Sequence, residues 1–168
     1  MQFFDVIDTR CSIRSYKPDP VEPEKLNKIL EAAAKAPTAR NMQAFKIIVV
    51  KTAGHENELK KIYSPDWFVE APYVLCVCAM KDIYEARKGH RDFSEIDAAI
   101  VMDHIVLAAT ALGLGTCWIG AFNADAAREV LKLNSNLEPI IFTTLGYTKP
   151  PVTRRQKKPV EELVVYWN

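Results

Sequence analysis

Two periods of hydrophobic residues alternate along this chain. Apolar positions that recur every three to four residues mark helical stripes, and short β-branched runs mark strands covered on both faces. Residues 2–9 present Phe3, Phe4 and Ile7 at helical spacing. Residues 23–35 form a clearer helix: Pro23 suits its first turn, Leu26, Ile29, Leu30, Ala33 and Ala34 share a stripe, and Pro37 stops it. The run Phe45-Lys-Ile-Ile-Val-Val50 predicts a buried strand, 55–63 a helix and 73–80 a second strand. Residues 81–96 are polar and without clear period, which reads as a surface excursion. A long helix over 96–112 ends at Gly113 and Gly115, both read as helix termination. Strand 116–119, helix 124–133 with Asn123 as N-cap, strand 140–145 and a C-terminal strand 162–167 complete the series. The alternation predicts an α+β or α/β chain, without revealing the order of strands in the sheet.

The helix over 96–112 carries only Asp97, Asp103, His104 and Thr110 as polar side chains. A helix apolar on nearly every side has to be covered on nearly every side. Asp103-His104 at its middle and its modest length argue against a membrane span. A small domain rarely surrounds a helix completely, so a subunit interface in a homodimer is favoured over a central core helix of a monomer.

The length of 168 residues predicts one domain, 1–168. Lys plus Arg (22) nearly balance Asp plus Glu (21), for a net charge of +1, so nothing global points to nucleic acid or an acidic membrane surface. Cys11, Cys76, Cys78 and Cys117 form no C-x-x-C pair, which disfavours zinc or disulfide readings. In a strand, Cys76 and Cys78 share a face as small hydrophobes. With no signal-like N-terminus, the cytoplasm is the expected compartment.

Four segments concentrate chemistry. Thr9-Arg10-Cys11-Ser12-Ile13-Arg14 sets two guanidiniums four apart with a hydroxyl between, a donor set that suits a phosphate. From spacing alone a solvated cationic face is the simpler reading. The loop Ala36-Pro-Thr-Ala-Arg-Asn-Met-Gln-Ala-Phe45 joins a helix to a buried strand, and Asn41 and Gln43 offer the donors and acceptors that a pyrimidine or flavin edge needs. Turn capping by Thr38 and Asn41 explains the same residues equally well. In Gly113-Leu-Gly-Thr-Cys-Trp-Ile-Gly-Ala-Phe122 the glycines lack dinucleotide-fingerprint spacing and run from helix to strand. Gly120-Ala121 leaves backbone N–H groups accessible beside the apolar wall of Trp118. Arg154-Arg155-Gln-Lys157-Lys158 reads alone as a surface patch, and with Arg10 and Arg14 as the rest of a phosphate pocket.

In their order and spacing these segments resemble the nitroreductase family of FMN-dependent oxidoreductases. The likeness spans nearly the whole chain, through Arg10-Cys-Ser-Ile-Arg14, "APTARNMQAFKIIVV", "DAAIVMDHIVLAATALGLGTCWIG" and the closing "LGY…RRQKKPVEEL". It implies an α+β nitroreductase-like sandwich, with a central mostly antiparallel sheet flanked by helices, in an interlocked homodimer. It also implies that Arg10, Ser12 and Arg14 grip the FMN phosphate and ribityl chain, with Cys11 contributing backbone, and that Arg155 and Lys157 close on the same phosphate. Pro37, Thr38, Ala39 and Asn41 resemble the loop that reaches the flavin from the other subunit, with Gln43 behind it. Trp118, Ile119, Gly120 and Ala121 resemble the stretch along one flavin face, with a backbone N–H near N5. Cys11 replaces a more usual polar or basic residue, Arg40 stands among residues commonly small, and Ala44-Phe45 replaces the frequent Pro-Trp. The 81–96 region is short where longer members insert helices, implying an open acceptor pocket.

The implied function is hydride transfer from NADH or NADPH through flavin N5 to a small electron-poor acceptor, such as a nitroaromatic or quinone, in ping-pong order. No catalytic side chain is required. A flavin-binding sensor or storage protein, and family members that fragment flavin, dehalogenate aromatics or reduce enones, are the alternatives that the motifs leave open.

Overall fold

The computed structural model describes residues 1–85 and 92–167. Strands β1 (Phe45–Lys51), β2 (Tyr73–Met80), β3 (Gly115–Ile119) and β4 (Leu137–Gly146) pair antiparallel in the order β1-β2-β4-β3. Helices cover both faces. Leu75, Val77, Ile141 and Leu145 pack on one side in a cluster with α2 (Pro23–Ala34) and α6 (Ser94–Ala111). Val74, Cys76, Cys78 and Phe142 pack on the other in a cluster with α3 (Glu56–Ile62), α4 (Trp67–Glu70) and α7 (Ala124–Val130). The result is the expected α+β sandwich with an antiparallel sheet.

Local sequence explains the elements. Strand β2 is apolar at consecutive positions because both of its faces are buried. Cys76 and Cys78 do share a face, as free thiols 3.6 Å apart. Pro139 lacks an N–H, and the sheet absorbs it with a bulge: Val77 faces Ile141, Cys78 faces Pro139, and Ile140 is left as the extra residue. The Asn123 side chain accepts from Ala126 N–H at 3.0 Å and caps α7. Gly113 takes φ +78° just past the end of α6, a left-handed conformation that suits glycine.

Helix α6 buries Ala98, Val101, Met102, Ile105, Val106 and Ala109, and α1 (Phe3–Thr9) rests against it. Within one chain its other face stays partly open, with Asp103 and Ala111 exposed and Ile96 39% exposed. No helix among the described residues is long and apolar enough to cross a membrane.

Three expectations need correction. The C-terminal strand over 162–167 is absent: Val160–Glu162 form a 3-10 turn, and residues 163–167 enter no strand. β-Branched and aromatic residues give that tail strand propensity, but propensity needs a partner backbone and the tail pairs with none among the described residues. Val165 and Trp167 are 94% and 99% exposed there. Gly115 does not terminate α6 but opens β3, where its missing side chain permits a close approach. The excursion over 81–96 is partly helical, in α5 (Lys81–Glu85) and the first residues of α6, because helix α6 begins two residues earlier than its apolar stripe. The remaining part of that excursion, 86–91, lies outside the described residues.

Candidate functional site

The segment that follows α1 is fixed against the start of β3. Ile13 is buried and its N–H donates to Thr116 O at 2.8 Å, while Ser12 forms a parallel bridge with Thr116. Only a glycine at 115 allows this: a Cβ there would stand 2.8 Å from Ile13 Cγ1 and 2.5 Å from Thr148 Oγ1. Below, the buried Tyr16 hydroxyl donates to Ile13 O at 2.8 Å and meets Thr144 Oγ1 at 2.5 Å. Burial raises the Tyr16 phenol well above its ordinary value, so it remains a neutral donor. Side chains alternate along extended backbone, so burying Ile13 turns Ser12 and Arg14 outward. The Arg14 guanidinium lies over the Trp67 ring at 5.8 Å, a cation–π contact that steadies it.

Outward from this segment lies a cleft of about 560 Å³ between the two ends of the chain. Arg10, Cys11, Ser12 and Arg14 line one wall, and Thr153, Arg154, Arg155 and Lys157 the other. Five cationic side chains thus meet a single carboxylate, that of Asp8. Guanidinium and ammonium groups donate and never accept, so the set suits an anion with several oxygens, such as a dianionic phosphate. Behind the wall, burial pushes the Cys117 thiol up, and Arg14, the Ser12 hydroxyl and Arg10 pull the other way. The six sequence candidates from the two termini are therefore together, from positions more than 140 apart in the chain. Arg154 and Trp67 join them. The basic run signalled Arg154, whereas nothing in the sequence periodicity signals Trp67. Lys158 turns away to pair with Glu162 at 3.3 Å.

The second group stands at the far end of β3. From Thr116 to Gly120 the extended chain covers about 13 Å. Trp118 is 39% exposed, Ile119 is buried against the Phe142 cluster, and Gly120 and Ala121 are exposed. Gly120 borders another cleft of about 560 Å³ with Lys81, Ser94, Glu95, Phe122 and Glu138. Glu138 binds Arg128 at 2.5 Å and Lys81 at 2.7 Å, and these partners hold its carboxyl below the usual range.

The third group lies beside the opposite edge strand, β1. Pro37 and Thr38 lead into a 3-10 turn over Ala39–Asn41, and Gln43 stands two residues before β1. Ala39 N–H donates to both carboxylate oxygens of Asp97, in the first turn of α6, at 3.0 Å. Neither cleft is lined by residues 37–43. One chain thus assembles the cationic group, sets Trp118–Ala121 a strand length away, and leaves Pro37, Thr38, Ala39, Asn41 and Gln43 outside the lining of both clefts. Asp97 is a residue that sequence reasoning passed over, because it read there only as one of few polar positions on an apolar helix.

Comparison with known proteins places the whole architecture. A family model described as "Putative TM nitroreductase" matches residues 2–168. A Bacillus subtilis (strain 168) protein named FMN reductase (NAD(P)H) is 30% identical over 165 residues, covering 88% of this chain and 65% of the relative, so the chain spans just under two thirds of that protein. The crystal structure of a nitroreductase family protein from Clostridium difficile 630 superposes with a TM-score of 0.89 and 35% identity, over 99% of this chain and 98% of that one. An FMN-dependent nitroreductase from Clostridium difficile R20291 superposes with a TM-score of 0.83 and 28% identity, over 98% of both chains. Matched end to end by the family model and by a solved relative more than one third identical, the chain belongs to the nitroreductase family.

Proposed function

We propose that this chain, as a single domain over 1–168, binds FMN at the seam of a homodimer and uses it as an NAD(P)H-dependent oxidoreductase. The observation that carries the reading is the cleft in which Arg10, Arg14, Arg154, Arg155 and Lys157 surround one space with Ser12 as a neutral donor. That donor set fits a terminal phosphate monoester. Relatives named FMN reductase (NAD(P)H) and FMN-dependent nitroreductase support the identity of the group that carries it.

When bound, FMN supplies the redox chemistry, taking hydride from a nicotinamide and passing electrons to an acceptor. The chain's residues anchor and orient. Arg10, Ser12, Arg14, Arg155 and Lys157 hold the phosphate, with Cys11 contributing backbone. Trp118, Ile119, Gly120 and Ala121 run along the ring, where an exposed N–H at the end of β3 offers a hydrogen bond. The loop of Pro37, Thr38, Ala39, Asn41 and Gln43 reaches the ring from the partner subunit, in keeping with its absence from the lining of the cationic cleft within one chain. Apolar surface left open on the chain supports the dimer: Phe3 and Phe4 are 62% and 75% exposed, and Leu163, Val165 and Trp167 more than half exposed. With FMN bound, a nicotinamide and then a small electron-poor acceptor such as a quinone or nitroaromatic would use the site in turn, and no side chain would be required as acid or base. Four free cysteines are in keeping with a reducing cytoplasm.

Purified protein is expected to be yellow, to bleach anaerobically with NADH or NADPH, and to recover its colour with a quinone over many cycles. A colourless protein that FMN does not reconstitute overturns the reading. Flavin that binds yet stays oxidised under NAD(P)H turns it into a binding module.

A further inference from the structure

The loop before β1 holds backbone strain in an exposed place. Arg40, Asn41 and Gln43 take φ of 54°, 57° and 49°, in the left-handed region that favours glycine, and all three are exposed. Such residues persist only where surrounding structure over-determines them. Burial of their own side chains does not supply that restraint. Hydrogen bonds within the loop supply part of it: Asn41 N–H to Thr38 O, Met42 N–H to Ala39 O, and Gln43 N–H to Thr38 Oγ1. The tie to the rest of the molecule comes from Asp97. Its side chain is buried, with the residue 3% exposed, and both carboxylate oxygens face Ala39 N–H at 3.0 Å. Asp97 belongs to the first turn of an 18-residue helix, whose N-terminal dipole favours an acidic group there. The same helix is packed into the core through Ala98, Val101 and Met102, so the loop is tied to an element anchored in the core.

We infer that Asp97 is a positioning residue for flavin: by capturing Ala39 N–H it holds the strained loop in the shape that receives the isoalloxazine ring, without touching the ring itself. The inference rests on the proposed FMN site and adds to it a residue that works through the loop. It also separates the site into two independently held ends. The phosphate end depends on cations, and the ring end depends on a buried carboxylate. A change at Asp97 therefore weakens FMN and riboflavin by the same factor, because both carry the ring, whereas a change at the phosphate end affects FMN alone.

The test compares wild-type protein with Asp97→Ala and with Asp97→Asn, whose amide oxygen keeps one acceptor in place. Dissociation constants for FMN and riboflavin are measured by quenching of flavin fluorescence, alongside near-UV and visible circular dichroism of the bound flavin. Amide exchange is measured separately on the flavin-free protein. The expected result for Asp97→Ala is a rise of about tenfold or more in both constants, given the usual strength of a hydrogen bond to a charged group. A changed dichroism of the bound ring, and faster exchange confined to residues around Ala39, are expected with it. Asp97→Asn is expected to fall between, and it carries the test should the alanine variant fail to fold. Wild-type affinity for both flavins in the folded variant overturns the inference. So does selective loss of FMN, or exchange that quickens across the whole sheet. A wild-type protein that binds neither flavin removes the proposed function and this inference with it. Flavin bound normally by wild type and variants alike removes the inference only.

Discussion

Gly115→Ala adds one methyl group at the point where the Arg10–Arg14 segment meets β3. The new Cβ would lie 2.5 Å from Thr148 Oγ1 and 2.8 Å from Ile13 Cγ1, where ordinary contact begins near 3.4 Å. Relief therefore requires Thr148 to retreat by about 0.9 Å and Ile13 by about 0.6 Å, the differences between those figures. Neither gives easily, because both are β-branched and Ile13 is also tied through its N–H to Thr116. Overpacking of this kind costs about 1–3 kcal/mol, and replacing glycine returns about 0.4–1 kcal/mol through the unfolded chain. The net loss is about 1–2 kcal/mol, a fall of roughly 2–8 °C in the melting temperature of a chain this size. Because Ile13 sits between Ser12 and Arg14, the same displacement moves two phosphate donors. Calorimetry of the flavin-free protein reads the stability, and fluorescence titration reads FMN affinity. Thr148→Ala added to the same chain relieves the closer clash and restores part of both, so the two substitutions are non-additive. Unchanged melting and unchanged FMN affinity in Gly115→Ala would refute the reasoning.

One further substitution and one truncation probe other parts of the structure. The Glu138 carboxyl is held below its usual range first by Arg128 and then by Lys81, so its contribution is complete above the ordinary carboxylate pKa and is lost as pH falls through the lowered one. Melting temperature in wild type is expected to fall more steeply below about pH 4.5 than in Glu138→Gln; parallel curves in the two proteins contradict this. Removal of residues 160–168 deletes exposed Leu163, Val165 and Trp167. Sedimentation is expected to show a weaker dimer, with FMN affinity falling alongside, and an intact dimer with normal affinity argues against the apolar tail as part of the dimer contact.

Legibility in the sequence followed the range of the interactions involved. Strand β2 was readable because eight consecutive residues from Tyr73 to Met80 are nearly all apolar, and α2 because its stripe and Pro23 agree. The tail over 162–167 misled because strand propensity is local while pairing is not, and it pairs with no strand among the described residues. The bulge at Pro139 and the close approach at Gly115 depend on what lies opposite, which no local pattern records. Among candidate site residues, the two basic clusters were visible as arginine and lysine runs, and the fold supplied their convergence on one cleft. Trp67 and Asp97 were not visible in that way. Trp67 matters because Arg14 lies over it, and Asp97 because a loop 58 residues away turns its N–H toward it. Both act through contacts at long range, for which single-residue chemistry gives no signal.

The central claim is that cations from both ends of the chain grip one phosphoryl group, and binding of FMN against riboflavin isolates it. The two ligands share a ring and ribityl chain and differ in the phosphate. Wild-type protein is expected to favour FMN strongly, and Arg14→Ala to lose about 10- to 100-fold in FMN affinity, in line with one lost charge-assisted contact, while riboflavin affinity stays put. Equal affinity of wild type for the two ligands, or equal weakening of both by Arg14→Ala, would contradict the account.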